Sequence, residues 1–457
     1  MLAVEGFLSA LSAALWGRPL IIALLGTHIF LTLRLRGIQR YIGRALKLSV
    51  TKERGAKGDI SPFAALMTAL AATIGTGNIV GVATAVVAGG PGAVLWMWLS
   101  GVFGMATKYT EALLSVKYRV KMPDGTMAGG PMYVMERGLH SKWLGVVFAF
   151  FMALAALGIG CMVQSNSIAV MFYRAFNIPP VLCGAAAAIL TGCVIIGGIK
   201  SIARVCNIII PVAGVLFIVS NVAILIIGWQ TIPHTLALIF TSAFTGRAAV
   251  GGFAGATAKD AIRFGVARGL FSNESGLGSS AIVDAAAQCK NPARQALVSY
   301  TGTFWDTVVL AALTGIMIVN SGLWLGGSDG GELTNAVFSI IPVVGPIMLA
   351  AALFTFAVAT CIGWSYYAQK AVEYLFGPRA VGPYKALYVM LIFMGSMFSI
   401  GVVWSFSDIA NAMMAIPNLI SLVMLSGVAV EETRKYIWSG RLFEDEFEDK
   451  KGKNPKS

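Results

Sequence analysis

Two stretches of this chain concentrate the groups that could do chemistry. They are Ala71-Ala72-Thr73-Ile74-Gly75-Thr76-Gly77-Asn78 and Phe271-Ser272-Asn273-Glu274-Ser275-Gly276-Leu277-Gly278, and in each, glycine and polar residues interrupt a long apolar run. A helix interrupted at membrane depth frees backbone N–H and C=O groups, which persist there only against protein, water or a ligand. A matched pair of such breaks points to a transporter's binding site. A half-helix that starts after Gly75 and Gly77 turns its positive end to the gap and suits a carboxylate. The half-helix that stops there offers carbonyls to Na⁺ or an ammonium group. One break can thus read both ends of a zwitterion, with glycine letting a ligand approach the backbone. The alternative is a glycine-rich packing face between helices. Glu274 adds an ionisable group to the second break, as a direct ligand of a cation or amine, or as a structural partner of Lys108 or Arg268.

Polar residues in other apolar runs extend these constellations. Lys108 and Glu111 share one helix face and are expected to form a mutual ion pair that also ties down backbone freed by the breaks. Asp306 is a similar acid whose partner the sequence does not name. Gln164, within Gln164-Ser165-Asn166-Ser167 after Gly158-Ile159-Gly160, is the amide expected in a pocket. Thr355, Thr360, Trp364, Ser365 and Tyr366 lie in one further run. There a hydroxyl and carbonyls one turn apart can complete an oxygen shell for Na⁺, and Trp364 either walls a small pocket or packs.

The elements that must position these residues are membrane spans. The chain has 457 residues, 57% hydrophobic and 12% charged, with mean hydropathy +0.77, against roughly 25% charged residues in soluble proteins. Apolar runs long enough to cross, about 17–25 residues, fall at 19–36, 61–89, 92–116, 143–173, 180–199, 205–228, 258–287, 295–319, 342–370, 384–404 and 408–433. Eleven spans are therefore expected, and residues 2–16 form a separate short helix because Gly17-Arg18-Pro19 interrupts it. Glu5 and the lack of a basic n-region argue against a cleaved signal peptide. The six cysteines show no metal spacing and read as buried small hydrophobes. The three histidines, His28, His140 and His234, are too dispersed for a metal site.

A net charge of +13 is compatible with nucleic acid, but its distribution argues against that partner. Basic residues crowd alternate connections: Arg34 to Lys57, Lys117 to Lys142, Lys200 and Arg204, Lys290 and Arg294, Lys370 to Lys385, and the tail from Arg434. The connection 320–341 carries Asp329 and Glu332 and no basic residue. This is the positive-inside pattern, with the N-terminus outside, the C-terminus cytoplasmic and the lipid bilayer as the surrounding partner. Setting span one aside leaves ten spans. Each half opens with a broken span and crosses an odd number of times, as an inverted repeat requires. The expected organisation is an N-terminal helix and basic linker (1–58), a first five-helix repeat (59–228) and an external loop or re-entrant helix (229–257). A second five-helix repeat (258–433) and a charged, solvated tail (434–457) follow.

At Gly75-Thr76-Gly77-Asn78-Ile79, Gly89-Gly90-Pro91-Gly92-Ala93-Val94-Leu95-Trp96-Met97-Trp98, Asn273-Glu274-Ser275-Gly276-Leu277-Gly278 and Gly363-Trp364-Ser365-Tyr366-Tyr367, the chain resembles the alanine or glycine:cation symporter family. The likeness covers essentially the whole chain, with Leu95 standing where the family signature has phenylalanine. It implies an all-α, leucine-transporter-like fold of five-plus-five inverted repeats with one extra N-terminal helix, no enzymatic activity, and uptake of alanine or glycine coupled to Na⁺. The family pattern would place Gly75, Thr76, Gly77 and Asn78 around the substrate carboxylate, with Phe271 and Ser272 opposite. Gln164, Asn273, Gly276, Thr360 and Trp364 complete the candidate substrate set. The same pattern assigns Na⁺ to the carbonyls of Ala71 and Ile74 and the hydroxyl of Thr360. Ala359 lacks a second hydroxyl, so a carbonyl or water must fill that place. Asp408, at the outer start of span eleven, resembles an external gate acid, but Gly81 stands where its arginine partner is expected.

Three rivals have less support. H⁺ could replace Na⁺ as the coupling ion. A channel needs a wetted, ring-lined pore, which two breaks suited to an enclosed site do not suggest. An intramembrane enzyme needs a nucleophile with its base, or a metal cluster, and neither His-Glu-x-x-His nor a P-loop motif is present.

Overall fold

The computed structural model describes residues 2–51, 56–245, 257–326, 330–398 and 400–444. Lys52, Arg54, the Gly251–Gly255 run, Asp329 and the tail beyond Glu444 lie outside them. Gly17, extended at φ −68 and ψ −176, separates α1 (Leu2–Leu15) from α2 (Arg18–Arg34), whose first turn carries Pro19. Proline suits that turn because its missing N–H has no partner there in any case. Left-handed Arg36 and Gly37 then turn the chain toward a short α3 (Ile42–Ser49).

The first half opens with α4 (Pro62–Thr73), whose first turn is capped by the Ser61 hydroxyl accepting from the Ala64 N–H. A π-helical turn, Gly77–Gly81, leads into α5 (Val82–Gly89) at 55° to α4. Next come α6 (Gly92–Lys117), a hairpin of β1 (Val120–Lys121) and β2 (Met127–Ala128), α7 (Pro131–Gly138) and α8 (Lys142–Leu157). The half closes with α9 (Val163–Phe176), α10 (Pro180–Ile196) and α11 (Gly198–Ile227). The helix expected between the halves is α12 (Ile232–Thr245), fixed to α6 by the Trp96 indole N–H donating to the Ala243 carbonyl.

The second half opens with α13 (Ala258–Asn273), started by a reciprocal Thr257–Asp260 capping box and stopped by Glu274 at φ +55. It continues through α14 (Ala281–Asp284), α15 (Pro292–Thr303), α16 (Ala312–Asn320), α17 (Gly330–Phe338) and the long α18 (Val344–Phe376). It ends in α19 (Val381–Gly395), α20 (Ile400–Met424) and α21 (Ser426–Thr433). The last turn is a π-helix, Arg434–Trp438, and the tail here is docked rather than solvated: Leu442 is buried, and Asn291 donates to the Leu442 and Glu444 carbonyls.

Six helices, or seven counting the bent α4–α5 pair, are long and apolar enough to cross a bilayer among the described residues. The other four expected spans are not among these. α10, α13 and α19 have 17, 16 and 15 residues, and α6 carries Lys108 and Glu111. Ile189, Leu190, Ile208, Val215 and Ile226 project outward from α10 and α11, as a lipid-facing surface requires. One boundary differs from expectation. α19 stops at Gly395 and α20 starts at Ile400, although the sequence stays apolar to Trp404. The reason lies in Asn166, whose amide donates to the carbonyls of Gly395 and Phe398 at 3.1 and 2.7 Å and satisfies the helix end from another span.

α6 is the hub, packed against α2, α13 and α15. Its approach to α13 depends on Gly265 and Gly269, where a β-carbon would lie 2.4 Å from the Ala93 carbonyl and 2.2 Å from the Ser100 hydroxyl. Small residues four apart permit this close crossing. The segment leading into α4 pairs with the segment after α14. Asp59 N–H donates to Ala286, Gln288 N–H to Ile60 and Cys289 N–H to Lys57. The Arg119 guanidinium bridges both segments, donating to the carbonyls of Ala285, Ala287 and Lys57 at 2.8–3.1 Å. The lead-ins to the two broken helices are thereby clasped together.

Candidate functional site

The two breaks meet at the centre of the fold. α4 ends because Ile74 turns extended (ψ 102) and Gly75 follows. Beside the gap lies a small cavity of about 10 Å³, room for about one water, lined by Ala72, Thr73, Gly75, Thr76, Gly77, Ile159, Gln164, Phe271, Glu274 and Thr360. Its wall holds unspent hydrogen-bonding capacity. The Thr76 hydroxyl and the Gln164 carbonyl oxygen are buried without a partner, while the Gln164 amide N–H donates to Ile159 at 3.1 Å. The Thr360 hydroxyl donates to the Ile74 carbonyl at 3.4 Å, so two of the three expected Na⁺ oxygens are adjacent. Ala71, the third, is buried in α4 next to cavity-lining Ala72. A β-carbon on Gly75 would stand 2.9 Å from the Thr360 hydroxyl and 3.5 Å from the Gln164 carbonyl oxygen. Only glycine leaves this space open.

Glu274 lines the same cavity. One carboxylate oxygen accepts from the Trp364 indole N–H at 3.0 Å, and the other accepts from the Ser279 hydroxyl. Neither Lys108 nor Arg268 forms a salt bridge with it among the described residues, although the Lys108 charge acts on it at longer range. Each oxygen keeps a lone pair for a further donor.

Five candidate substrate residues do not line the cavity. Asn78 turns away: its amide donates to the Asp306 carboxylate at 3.0 Å and to the Asp306 carbonyl at 2.9 Å, and its own oxygen accepts from Gly75 N–H. Ser272 likewise donates to Asp306 at 2.9 Å, alongside Thr307 at 2.7 Å. A carboxylate at that depth must be hydrogen-bonded, and Asp306 takes the nearest donors of both breaks. These are the partners the sequence left unnamed. Asn273 accepts from Ser275 N–H. Gly276 N–H donates to Glu111 and its carbonyl accepts from Asn418. Trp364 is fully buried behind Glu274, its N–H shared with the Ala72 carbonyl.

The expected Lys108–Glu111 ion pair is also absent. Glu111 does tie down the second break, accepting from Gly276 N–H at 2.9 Å and from the Asn418 amide at 2.8 Å. Lys108 is buried with no hydrogen-bond partner. Asn418 was missed by sequence reasoning, although Asn411 and Asn418, seven residues apart, mark one polar face of span eleven.

Asp408 lies two turns inside α20, not at its start, because that helix begins at Ile400. From α13 the Arg268 charge acts on Asp408, with no salt bridge between the two among the described residues, and its guanidinium lies 6.0 and 5.9 Å from the Phe271 and Trp404 ring centres. Those rings are 5.3 Å apart. α1 reinforces the spot, with the Trp16 indole N–H donating to the Asp408 carbonyl at 2.8 Å and the Ser12 hydroxyl to its carboxylate at 3.5 Å. Two further cavities meet this layer. One holds Trp16, Arg263, Arg268, Phe271 and Asp408, and the other Thr84, Arg174, Arg268, Glu332 and Trp404. Arg268 lines both of these, and Phe271 lines the first of them as well as the central cavity.

The sodium:alanine symporter family profile matches residues 1–449. The sodium/alanine symporter AgcS of Methanococcus maripaludis is 48% identical over 439 residues, covering 94% of this chain and 96% of that protein. An uncharacterised transporter of Haemophilus influenzae is 47% identical over 438 residues, covering 95% and 96%. Among solved structures, MhsT in complex with L-phenylalanine aligns with a TM-score of 0.58 at 16% identity, over 82% of this chain and 98% of MhsT. That likeness establishes the leucine-transporter-like fold. With a matching profile, close full-length relatives and two broken helices around one central cavity, the chain belongs to the sodium:alanine symporter family, as a multi-pass membrane protein that performs Na⁺-coupled amino-acid symport and is not an enzyme.

Proposed function

We propose that this protein carries alanine or glycine into the cell together with Na⁺, by alternating access to the cavity at the first break. The observation that carries this reading is the cavity itself. It is small, Phe271 and Ile159 wall it, and Gly75 keeps open the space that any larger residue there would fill. The Thr76 hydroxyl and the backbone at the start of the helix after Gly75 receive the carboxylate, Glu274 and the Gln164 carbonyl oxygen receive the ammonium, and the Ile74 carbonyl with the Thr360 hydroxyl holds Na⁺. The basic linker, and with it the 57–60/286–289 clasp, faces the cytoplasm, and the Arg268–Asp408 layer faces outside. In this form the cytoplasmic path is shut and a thin aromatic layer bars the outer one. Na⁺ and the amino acid together neutralise and fill the centre, after which the clasp opens. One Na⁺ moving inward gains about 2.3 kcal/mol per 100 mV.

Proteoliposomes loaded without Na⁺ and given radiolabelled alanine test this. Uptake should follow an inward Na⁺ gradient, saturate and show counterflow. Uptake indifferent to Na⁺ would sink the symport reading. Glu274 gives one specific reason for a second reading, since a carboxyl group at the cavity can also carry a proton. Uptake driven by a pH gradient without Na⁺ would establish that alternative.

A further inference from the structure

A second constellation, remote from the central cavity, has no part in the transport reading. Where the end of α2 meets α21 and the closing π-turn, a surface pocket is lined by Arg34, Arg36, Arg434, Glu431 and Trp438. Three guanidinium groups come from two separate pieces of chain, Arg34 and Arg36 from one and Arg434 from the other, and none has a salt-bridge partner among the described residues. One carboxylate stands against them. The arrangement is not an accident of mobile surface side chains. Arg36 adopts a left-handed backbone (φ +54), a conformation unfavourable for a residue of its size. This places its guanidinium 4.6 Å from the centre of the Trp438 ring. The Trp438 indole N–H is buried and donates to nothing, although a buried donor normally has an acceptor. A planar cationic fork and an unspent N–H in one concavity call for an anionic oxygen acceptor.

We propose that this pocket binds a phosphate group, and its position at the end of a span, beside the basic linker, makes the phosphodiester of an anionic lipid headgroup its source. Arginine matches phosphate oxygens in bidentate geometry, and basic pockets between spans are suited to such headgroups. A zwitterionic headgroup would bring its own cation among three arginines and is disfavoured. The inference depends neither on the transported substrate nor on the proposed orientation, because lipid headgroups line both faces.

The test uses the purified full-length protein in detergent, with lipid binding read by native mass spectrometry. Short-chain phosphatidylglycerol, short-chain phosphatidylcholine and inorganic phosphate are titrated separately and in competition. Phosphatidylglycerol should bind more tightly than phosphatidylcholine, and millimolar phosphate should not displace it. Each of Arg34→Gln, Arg36→Gln and Arg434→Gln should weaken phosphatidylglycerol about fivefold, from about 1 kcal/mol per arginine. Trp438→Phe keeps the ring, removes only the N–H and should weaken binding by about threefold or more. Arg379→Gln, at an arginine outside the pocket, should change nothing and controls for net charge. Size-exclusion profiles keep misfolded variants out of the comparison. Equal affinity for the two lipids, or unaltered binding by the arginine variants and Trp438→Phe together, would overturn the proposal. Displacement by millimolar phosphate would overturn the lipid assignment in favour of the free anion.

Discussion

Glu274→Gln separates the two tasks of the second break. Glutamine keeps the shape of the side chain. Its oxygen can still accept from Trp364, and its amide can donate to Ser279, whose hydroxyl rotates to accept. The framework bonds at Trp364 and Ser279 therefore survive, and what is lost is the negative charge at the cavity wall. A hydrogen bond to a charged group contributes about 1.5–3 kcal/mol. Converted at 1.4 kcal/mol per tenfold, alanine affinity should fall about 10- to 150-fold. Equilibrium binding of radiolabelled alanine to purified protein at saturating Na⁺ measures this, with thermal unfolding run beside it. The variant should unfold within a few degrees of the parent. Alanine affinity within about twofold of the parent would refute a contact between Glu274 and the ammonium group. A selective loss of Na⁺ affinity would refute it equally, by assigning the charge to the ion.

Other substitutions probe the remaining parts. Thr360→Ala removes the hydroxyl beside the Ile74 carbonyl and should raise the half-saturating Na⁺ concentration about fivefold, from about 1 kcal/mol, as read from uptake at fixed alanine. Gly75→Ala places a methyl 2.9 Å from that hydroxyl. Overpacking costs about 1–3 kcal/mol, so alanine affinity should drop at least about fivefold, with glycine less affected in a competition assay. Arg268→Gln and Asp408→Asn should each slow uptake, and the double variant should be no slower than the worse single one, because both break one interaction. Arg119→Ala removes a three-carbonyl bridge and should speed maleimide labelling of the buried Cys289 beside it.

Much of the fold was legible because membrane spans announce themselves by composition and because two broken spans sit at the heads of two halves. The break at Gly75 was equally plain, and Thr76, Gln164, Phe271 and Thr360 line the cavity beside it, while Glu274 stood open between ligand and structural pair. What stayed hidden was the direction in which polar side chains turn. Asn78 and Ser272 look free in a sequence, and nothing local reveals that Asp306, on another helix, takes both. Asn418 and Asn166 work the same way, satisfying backbone groups far along the chain. The boundary at Gly395 was illegible because the hydrogen bonds that end α19 come from α9. Arg268 was weighed only against Glu274, whereas the acid its charge acts on is Asp408.

The clasp between residues 57–60 and 286–289 also bears on fidelity. Each of its hydrogen bonds contributes about 0.5–1.5 kcal/mol net, so with the Arg119 bridge it is rarely broken by thermal motion alone. In the proposed cycle, an ion that reaches the centre without its amino acid then has only the route by which it came. Slippage, the futile leak of Na⁺ that dissipates a gradient, is held down by that unbroken seam, and loosening the seam should show as substrate-independent current before it shows as lost uptake.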